Sequence, residues 1–195
     1  MQSSQPSLFG EQQSRLPDGL RYREEVISAE DERMLAAFIA SLPLQPFEFV
    51  GGFQGNRRVV SFGWRYDFNA HQLQKTDDIP RELVGLRQTA ARFAGMAAEA
   101  FQQVLVSEYA PGAGIGWHKD RPVFGEVVGV SLLAPCRFRL RRKTGATWER
   151  ASLVAQPRSA YLLSGIARTQ WEHSIPALDR LRYSVTFRNF RDDVA

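Results

Sequence analysis

The second half of the chain, from about Phe101 onward, consists of short apolar segments separated by turn residues. This pattern restricts the fold more than any other feature of the sequence. The segments that we predict as strands cover residues 104–109, 127–133, 137–142, 148–154, 160–163 and 183–190. Many short strands joined by Gly and Pro turns are typical of a β-sandwich or a barrel.

Two amphipathic helices are predicted before this strand-rich half. Ser28 and Asp31 form a capping-box pattern, and apolar residues then repeat at helical spacing up to Pro43: Met34, Leu35, Phe38, Ile39 and Leu42. A second helix is expected to begin at Pro80. Strand-like segments at 58–61 and 64–68 lie between the helices and meet near Gly63. We therefore predict an α+β, mainly β fold, a jelly roll with the N-terminal helices packed on one sheet.

The length and composition suit a single domain. The chain has 195 residues, of which 44% are hydrophobic, enough for one substantial core. We expect residues 1–20 to form a flexible polar leader and residues 21–195 to form the domain. No apolar run is long enough for a membrane span, and the N-terminus lacks the apolar stretch of a secretory signal. We expect a monomer.

Cys136 is the only cysteine. A single thiol cannot form an internal disulfide, and cysteine-based zinc sites need more than one. We therefore expect a reducing compartment, the cytoplasm, with Cys136 as a small buried apolar residue.

The basic residues are almost all arginines. Lys and Arg number 25 against 21 for Asp and Glu, which gives a net charge of +4, and only three of the basic residues are lysines. A mild positive charge is a weak indication of a polyanionic partner. Arg137, Arg139 and Arg141 alternate on one strand face. That face could line a nucleic-acid groove, although a solvated surface is the more common role for such a pattern.

His118 and Asp120 form a His-x-Asp motif. In an extended segment, residues two positions apart point to the same side, so both side chains can face one ion. The chain has two other histidines: His71, in a polar stretch where we expect it to be exposed, and His173, which follows a predicted core strand. Two histidines and a carboxylate are the ligand set of non-haem Fe(II) oxygenases. Taken alone, the His-x-Asp spacing is a weak signal.

Residues 182–188 alternate between polar and apolar side chains. Arg182, Ser184, Thr186 and Arg188 share one face, and the other face is apolar. Two arginines facing a barrel interior are costly unless an anion accompanies them. A dicarboxylate such as 2-oxoglutarate would be that anion, with its keto-acid end on an iron and its far carboxylate on an arginine. The alternative is that the arginine face lies in water.

Four stretches of the sequence resemble the AlkB family of nucleic-acid dioxygenases, in the family's order. They are residues 107–112, 118–120, 171–176 and 182–188. The resemblance implies a double-stranded β-helix, which is a jelly roll, and the use of Fe(II), 2-oxoglutarate and O2. It implies that His118, Asp120 and His173 hold the iron. Arg182 resembles the arginine that pairs with the distal carboxylate of 2-oxoglutarate.

The same resemblance extends to other residues of the cosubstrate pocket. It implies that Arg188 lines the metal-side end and that the hydroxyl of Tyr109 reaches the cosubstrate. Ser107 and Ser184 stand where many members of the family have Asn, so a shorter side chain would make the cosubstrate contact. DNA-repair members often carry an acidic residue soon after the Asp ligand, whereas Arg121 and Pro122 follow Asp120 here. The contact that selects the alkylated base therefore does not carry over.

An upstream segment, residues 56–64, resembles the family's nucleotide-recognition lid. It combines Arg57 and Arg58, which could meet phosphates, with Trp64, which could stack on a base. Trp171, beside His173, could shape the pocket. For the segment the alternative is a plain amphipathic hairpin, and for Trp171 it is core packing. By the resemblance, residues 21–100 hold the helices and the lid, and residues 101–191 form the dioxygenase core.

The sequence predicts an Fe(II)- and 2-oxoglutarate-dependent dioxygenase that demethylates N-alkylated bases in DNA or RNA. Hydroxylation of an N-methyl group gives a hemiaminal, which releases formaldehyde and the unmodified base. Two alternatives stay open. One is hydroxylation or demethylation of a modified tRNA or of a protein side chain. The other is a metal-free nucleic-acid binding module.

Overall fold

The start of the domain lies before residue 20. The structure is a computed structural model that describes residues 16–48 and 54–191, so most of the expected leader, residues 1–15, lies outside the described residues. Leu20 pairs with Leu163 in a sheet, and the backbone nitrogen of Ser164 donates to the carbonyl of Gly19 at 3.0 Å. The boundary that we expected at residue 20 therefore falls inside the folded part.

The described residues form short strands and a few helices. The helices are α1 (Ala29–Ala40), α2 (Arg81–Ala94), the short α3 (Gly165–Thr169) and a 3₁₀ turn at Ala98–Ala100. The strands are β1 (Leu20–Arg23), β2 (Gln45–Glu48), β3 (Gln54–Phe62), β4 (Trp64–Asp67), β5 (Gln72–Lys75), β6 (Gln103–Tyr109), β7 (Ile115–His118), β8 (Phe124–Leu132), β9 (Cys136–Thr144), β10 (Thr147–Ala155), β11 (Ser159–Leu163), β12 (Glu172–Ile175) and β13 (Arg182–Phe190).

Helix α1 begins at the predicted capping box. The hydroxyl of Ser28 accepts from the backbone nitrogen of Asp31 at 3.0 Å, and the carboxylate of Asp31 accepts from the backbone nitrogen of Ser28 at 3.2 Å. These two bonds satisfy donors that the first turn leaves open. Leu35 and Ile39 are buried as predicted. The prediction is wrong for Met34, which is 60% exposed because it lies beside the buried face rather than on it.

Helix α2 follows Pro80 and ends at Gly95, whose φ of 77° is the left-handed conformation that favours glycine. Its predicted apolar face is buried: Leu83, Leu86, Ala90 and Phe93. Together with Leu35 and Ile39 of α1, this face packs on valines of β6 and β8. The two helices thus cover the outer face of one sheet.

Two antiparallel sheets form the body of the protein, which confirms the predicted jelly roll with helices on one sheet. The seven-stranded sheet has the order β1-β11-β8-β13-β6-β3-β2, and the four-stranded sheet has the order β10-β9-β12-β7. A second apolar core fills the space between the sheets and includes Phe138 and Leu140 from the smaller sheet. Among helices of residues 16–48 and 54–191, none is both long enough and apolar enough to cross a membrane.

The segment on either side of Gly63 does not form a hairpin. Strand β3 pairs with β2 and β6 in the large sheet, whereas β4 pairs with β5 in a separate two-stranded ribbon. Gly63 lies between them with φ 74°. The alternative of a plain amphipathic hairpin for residues 56–64 is therefore wrong, because residues 56–62 lie in the single strand β3 and only Trp64 enters β4, in a different sheet.

Strand β13 runs through the middle of the large sheet and is buried on both sides. Tyr183, Val185 and Phe187 belong to the core under the helices. The alternating residues, Arg182 and Arg188 among them, are buried on the side that faces the four-stranded sheet. The alternative of a solvated arginine face is therefore wrong.

Gly129 provides a test of the packing between the sheets. A Cβ atom on Gly129 would lie 2.3 Å from Cζ of Tyr161, whose ring stacks on Phe138 with centroids 4.5 Å apart. We expect Gly129→Ala to lower the free energy of unfolding by about 1–3 kcal/mol, because the ring cannot move aside in a packed core. Urea denaturation measures the change.

The matched control is Gly85→Ala in the exposed face of α2, where an added Cβ meets nothing within 4 Å. There the substitution should raise stability by about 0.5–1 kcal/mol, since alanine loses less backbone entropy on folding. A Gly129 variant as stable as the wild type would contradict the packing described here.

Candidate active site

His118 and His173 face each other across neighbouring strands. They are directly paired in the register of β7 and β12, and their ring centroids lie 4.2 Å apart. A register irregularity between His173 and Ile175 lets Ile115 and His118 both point inward from β7. We expected His173 to follow a core strand directly, and this is wrong. Helix α3 lies between β11 and His173, which belongs to a strand of its own, β12.

Asp120 lies in the loop that follows β7, two residues after His118. Its Oδ2 atom lies 3.7 Å from Nε2 of His173. Its Oδ1 atom accepts two hydrogen bonds from Arg188, from Nη2 at 2.7 Å and from Nε at 3.0 Å. The carboxylate is therefore anchored through one oxygen, and the other oxygen is directed toward the histidines.

The protonation states of this group suit a divalent cation. Burial and the nearby His118 lower the pKa of His173 to about 3, and burial also lowers the pKa of His118. Burial is the largest single influence and would raise the pKa of Asp120, but Arg188 and the other basic side chains around it together outweigh burial and hold that pKa well below its ordinary value. Two neutral imidazoles and one carboxylate are the forms in which these side chains bind metal ions.

The backbone sets the orientation of His118. Its Nδ1 atom lies 2.9 Å from the carbonyl oxygen of Gly116. A carbonyl can only accept, so Nδ1 carries the proton and Nε2 keeps a free lone pair. A second hydrogen bond of this kind orients most metal-binding histidines.

His118, Asp120 and His173 are close to one another but are not yet at the distances of a metal-binding site. No group of three His, Cys, Asp or Glu side chains in residues 16–48 and 54–191 already has the geometry to hold an ion. Two ligands at right angles on a metal lie about 3 Å apart at ordinary bond lengths. The distance of 3.7 Å between Asp120 and His173 would shorten by less than an ångström on binding. The donor set thus fits Fe(II) in chemistry, with a small side-chain adjustment.

Arg182 is a buried cation with an incomplete set of partners. It has no exposed surface, and its Nε donates to the hydroxyl of Ser131 at 2.9 Å. Its two terminal nitrogens, Nη1 and Nη2, are buried without a hydrogen-bond partner. Its Cζ lies 5.2 Å from the ring centroid of Tyr109. An unpaired buried guanidinium is costly, so this position fits a small anion such as the carboxylate of 2-oxoglutarate.

A cavity of about 1290 Å³ lies beside the two histidines and Asp120. Arg182 itself does not line it, but Tyr109, whose ring centroid lies 5.2 Å from Cζ of Arg182, does. Most of the predicted metal and cosubstrate residues line it: His118, Asp120, His173, Tyr109, Ser107, Ser184 and Arg188. Small-ligand pockets commonly measure 300–1,000 Å³. The space is therefore large enough for a dicarboxylate together with a group of a second substrate.

Of the four residues predicted to contact the substrate, one lines the cavity and three do not. Arg57 lines the cavity, with Cζ 4.4 Å from the ring of Phe47. Arg58 does not, because its side chain alternates to the other face and pairs with Glu108 at 2.7 Å.

The two tryptophans proposed for substrate contact also do not line the cavity. Trp64 packs edge-on against Phe190, with centroids 5.6 Å apart. Trp171 is buried in the core between the sheets, with Arg142 stacked on its ring. For Trp171, core packing is the correct alternative. Two other aromatic residues of this region line the cavity instead: Tyr66, which follows the lid segment and could also stack on a base, and Phe68, which sequence reasoning did not select.

Arg121 packs on the two aromatic residues that line the cavity, Tyr66 and Phe68. Its Cζ lies 4.9 Å from the ring of Tyr66 and 4.7 Å from the ring of Phe68. The residue that departs from the acidic pattern of DNA-repair members thus connects the loop after Asp120 to the β4–β5 ribbon. His71, expected to be exposed, lies at the tip of this ribbon and is exposed.

Arg168 is a buried residue of the site that sequence reasoning missed. From α3 its guanidinium donates to the carbonyl oxygens of Arg121, Phe124 and Gly125 at 2.6, 2.7 and 2.8 Å, and to that of Asp120 at 3.3 Å. No local pattern around residue 168 indicates this role, because all four acceptors are backbone atoms more than forty residues away. Arg168 thereby fixes the loop that carries Asp120.

We expect Arg168→Met to lower the free energy of unfolding by about 1–3 kcal/mol, because buried carbonyls lose their donors. Amide hydrogen exchange should increase in residues 119–125. Arg81→Met, at a nearly fully exposed side chain paired only with Glu82, should change either measurement little. If residues 119–125 of the Arg168→Met variant exchanged their amide hydrogens as slowly as in the wild type, contacts other than those of Arg168 would hold the loop.

Comparisons with known proteins identify the family to which the chain belongs. Residues 30–188 match the model of the 2OG-Fe(II) oxygenase superfamily. The chain is 27% identical over 192 residues to the Arabidopsis thaliana protein named "Alkylated DNA repair protein ALKBH8 homolog", covering 85% of this chain and 53% of that protein. It is 26% identical over 168 residues to the Macaca fascicularis protein named "tRNA (carboxymethyluridine(34)-5-O)-methyltransferase ALKBH8", covering 82% of this chain and 24% of that protein.

The chain thus spans about half the length of the first of these relatives and about a quarter of the second. Among solved structures, that of OsALKBH1 is similar in fold, with a TM-score of 0.64 and 16% identity over 89% of this chain and 98% of that chain. Members of the matching superfamily use Fe(II), 2-oxoglutarate and O2. The family model, the relatives and the fold all agree: this chain belongs to the 2OG-Fe(II) oxygenase superfamily and is AlkB-like.

Proposed function

We propose that this protein is an Fe(II)- and 2-oxoglutarate-dependent dioxygenase that oxidises an alkylated base of a nucleic acid. The observation that carries the proposal is the buried guanidinium of Arg182, whose Nη1 and Nη2 have no partner. It lies behind Tyr109, at 5.2 Å from the ring centroid, and Tyr109 lines the same cavity as two neutral histidines and a carboxylate. A buried guanidinium without an anionic partner, together with two histidines and a carboxylate that can bind a metal ion, is the arrangement that a metal-chelating dicarboxylate would complete.

The iron ligands would be Nε2 of His118, Nε2 of His173 and Oδ2 of Asp120. The bound Fe(II), with 2-oxoglutarate and O2, supplies the oxidising power for hydroxylation of a C–H bond while the keto acid is converted to succinate and CO2. Arg188 keeps Asp120 ionised and oriented through its two hydrogen bonds. Its remaining Nη1 donates to Gln103 at 2.9 Å, so we assign Arg188 to positioning a ligand rather than to direct contact with 2-oxoglutarate.

The cosubstrate would lie between the histidines and Arg182. The distal carboxylate would accept from Nη1 and Nη2 of Arg182, with Ser131 holding Nε. The hydroxyl of Tyr109 and those of Ser107 and Ser184 line the same cavity, where they can donate to carboxylate oxygens. Since serine reaches less far than asparagine, water would complete some of these contacts.

The other end of the cavity suits a nucleotide. The rings of Tyr66 and Phe68 contact each other edge-on, with centroids 5.3 Å apart, and form an aromatic wall against which a base can pack. Arg121 lies over these rings, and Arg57 lies over the ring of Phe47, which also lines the cavity. Neither arginine forms an ion pair within residues 16–48 and 54–191. They can therefore meet phosphates on either side of that base. On an N-methyl base, hydroxylation would give a hemiaminal that releases formaldehyde and the unmodified base.

A modified tRNA base is the second candidate substrate. One similar protein bears a name that refers to tRNA carboxymethyluridine. The positively charged Arg121 at the position of an acidic residue in DNA-repair members also favours a substrate different from theirs. Single-stranded DNA carrying N-methyl bases and bulk tRNA are therefore the two substrates to compare.

The role of Arg182 can be tested without turnover. We expect Arg182→Met to leave the stability of the ligand-free protein unchanged or raised, because an unpaired buried charge is removed. Wild-type protein should gain about 2.7 kcal/mol at a 2-oxoglutarate concentration of 100 times Kd, and the variant should gain nothing. Thermal unfolding with Mn²⁺ and 2-oxoglutarate measures both.

The matched control is Arg58→Met. Arg58 is also an arginine with a polar partner but lies outside the cavity, and its side chain is 53% exposed. This variant should keep the stabilisation by 2-oxoglutarate. If Arg182→Met kept it too, the distal carboxylate would bind elsewhere.

The reaction itself is tested by Fe(II)-dependent formation of succinate from 2-oxoglutarate. We expect the wild type to form succinate and His118→Ala to lose it by at least a hundredfold, because a missing ligand costs most of the metal affinity. Mass spectrometry of methylated single-stranded DNA and of tRNA after reaction identifies the oxidised base. A wild type that forms no succinate with Fe(II) and either substrate would contradict the proposed function.

A further inference from the structure

The outer face of the four-stranded sheet carries a concentration of arginine and tryptophan. In β9, Phe138 and Leu140 point into the core, so the residues that alternate with them point outward. The residues of β10 and β12 that pair with these outward-pointing residues lie on the same side of the sheet. We call this surface the arginine–tryptophan face, and it consists of Trp117, Arg137, Arg139, Arg141, Lys143, Trp148 and Arg150.

Stacking holds the central side chains of this face in place. Arg141 lies between two tryptophans, with Cζ 4.5 Å from the ring centroid of Trp117 and 4.4 Å from that of Trp148. Arg139 stacks on the same Trp117 ring at 5.1 Å. The guanidinium groups are therefore oriented before any ligand arrives, which reduces the entropy lost on binding.

The charge of the face is nearly uncompensated. Of its five basic residues, only Arg141 has an acidic partner, Glu172 on β12 at 2.6 Å. Arg137, Lys143 and Arg150 are exposed and form no ion pair within the described parts of the chain. The face thus has an excess of four positive charges, as large as the net charge of +4 of the whole chain. A surface of this kind concentrates polyanions.

The face is on the opposite side of the molecule from the helices and reaches the site. Helices α1 and α2 pack on the seven-stranded sheet, whereas the four-stranded sheet has its other side on the core between the sheets. Strand β7 is the edge of the smaller sheet, and it directs His118 into the cavity and Trp117 to the face. Trp117 and the following Lys119 also line the cavity. A strand bound on the face can therefore continue to the cavity mouth.

We propose that the arginine–tryptophan face binds a single-stranded nucleic acid, with phosphates on the basic side chains and a base on the ring of Trp148. The planar guanidinium matches phosphate oxygens in a two-pronged contact, and Trp148, which is 38% exposed, leaves ring surface for stacking. An acidic protein would match the charge but would not need the tryptophan. The proposal goes beyond the proposed oxygenation, because this binding requires neither Fe(II) nor 2-oxoglutarate.

The charge contribution is tested by the combined variant Arg137→Gln, Lys143→Gln and Arg150→Gln. Fluorescence anisotropy with an unmodified single strand of about 20 nucleotides, without metal or cosubstrate, gives Kd at several salt concentrations. We expect the dependence of log Kd on log salt to fall by about 2 and the affinity at low salt to fall at least tenfold, since about 0.7 counterion is released per phosphate contact.

The matched control removes the same charge from the helical side of the molecule, in Arg33→Gln, Arg81→Gln and Arg92→Gln on α1 and α2. All three residues are exposed. This variant should bind within about twofold of the wild type at moderate salt. Equal weakening by both triple variants would mean that net charge alone attracts the strand, and it would overturn the proposal, as would a face variant that binds like the wild type.

The stacking contribution is tested by Trp148→Ala. We expect the affinity to fall at least fivefold with an unchanged salt dependence, because a stacked base carries no counterion. An acidic peptide that competes as well as the strand would identify a protein partner and overturn the assignment to nucleic acid. The face variants should keep the 2-oxoglutarate turnover of the wild type. Loss of strand binding with intact turnover, and loss of turnover with intact binding, therefore separate this proposal from the proposed function.

Discussion

Two guanidinium groups, those of Arg182 and Arg188, are buried between the sheets on one face of β13. Their need for anionic partners determines the arrangement of the site. Burial of an unpaired charge is costly, so each arginine needs an anion. Arg188 has Asp120, through hydrogen bonds of 2.7 and 3.0 Å. Arg182 has only the hydroxyl of Ser131 and leaves two nitrogens without a partner. This difference makes Arg188 part of an ion pair, whereas Arg182 is the arginine that we propose to bind a carboxylate of 2-oxoglutarate.

The rest of the fold keeps water away from these charges. The helices cover one side of β13, and on the other side Arg182 and Arg188 are buried between the sheets, although Arg188 also borders the cavity. Low polarity around the ion pair strengthens the attraction between Arg188 and Asp120 and keeps both histidines neutral. The protein thus holds three side chains in metal-binding protonation states before any metal is present, at a cost in stability that contacts elsewhere must offset.

The loop that carries Asp120 is held from two sides. Arg168 binds its carbonyls from α3, and Arg121 stacks on the rings of the β4–β5 ribbon. The first contact positions Asp120, the carboxylate that we propose as a metal ligand, and the second joins its loop to the wall of the cavity. The arrangement connects the two ends of the cavity through a few neighbouring residues.

The sequence by itself determined the chemistry. The alternation of residues 182–188 and the spacing of His118 and Asp120 are local, because side chains two apart on an extended chain share a face. The jelly roll and both helices were also predictable from periodicity. Only the tertiary structure decided that His173 lies opposite His118, on two short strands that the sequence did not predict. It also decided that Arg57 rather than Arg58 lines the cavity and that Arg168 binds distant carbonyls. Those contacts depend on sheet register and on closure of the two sheets, which pair residues far apart in the chain.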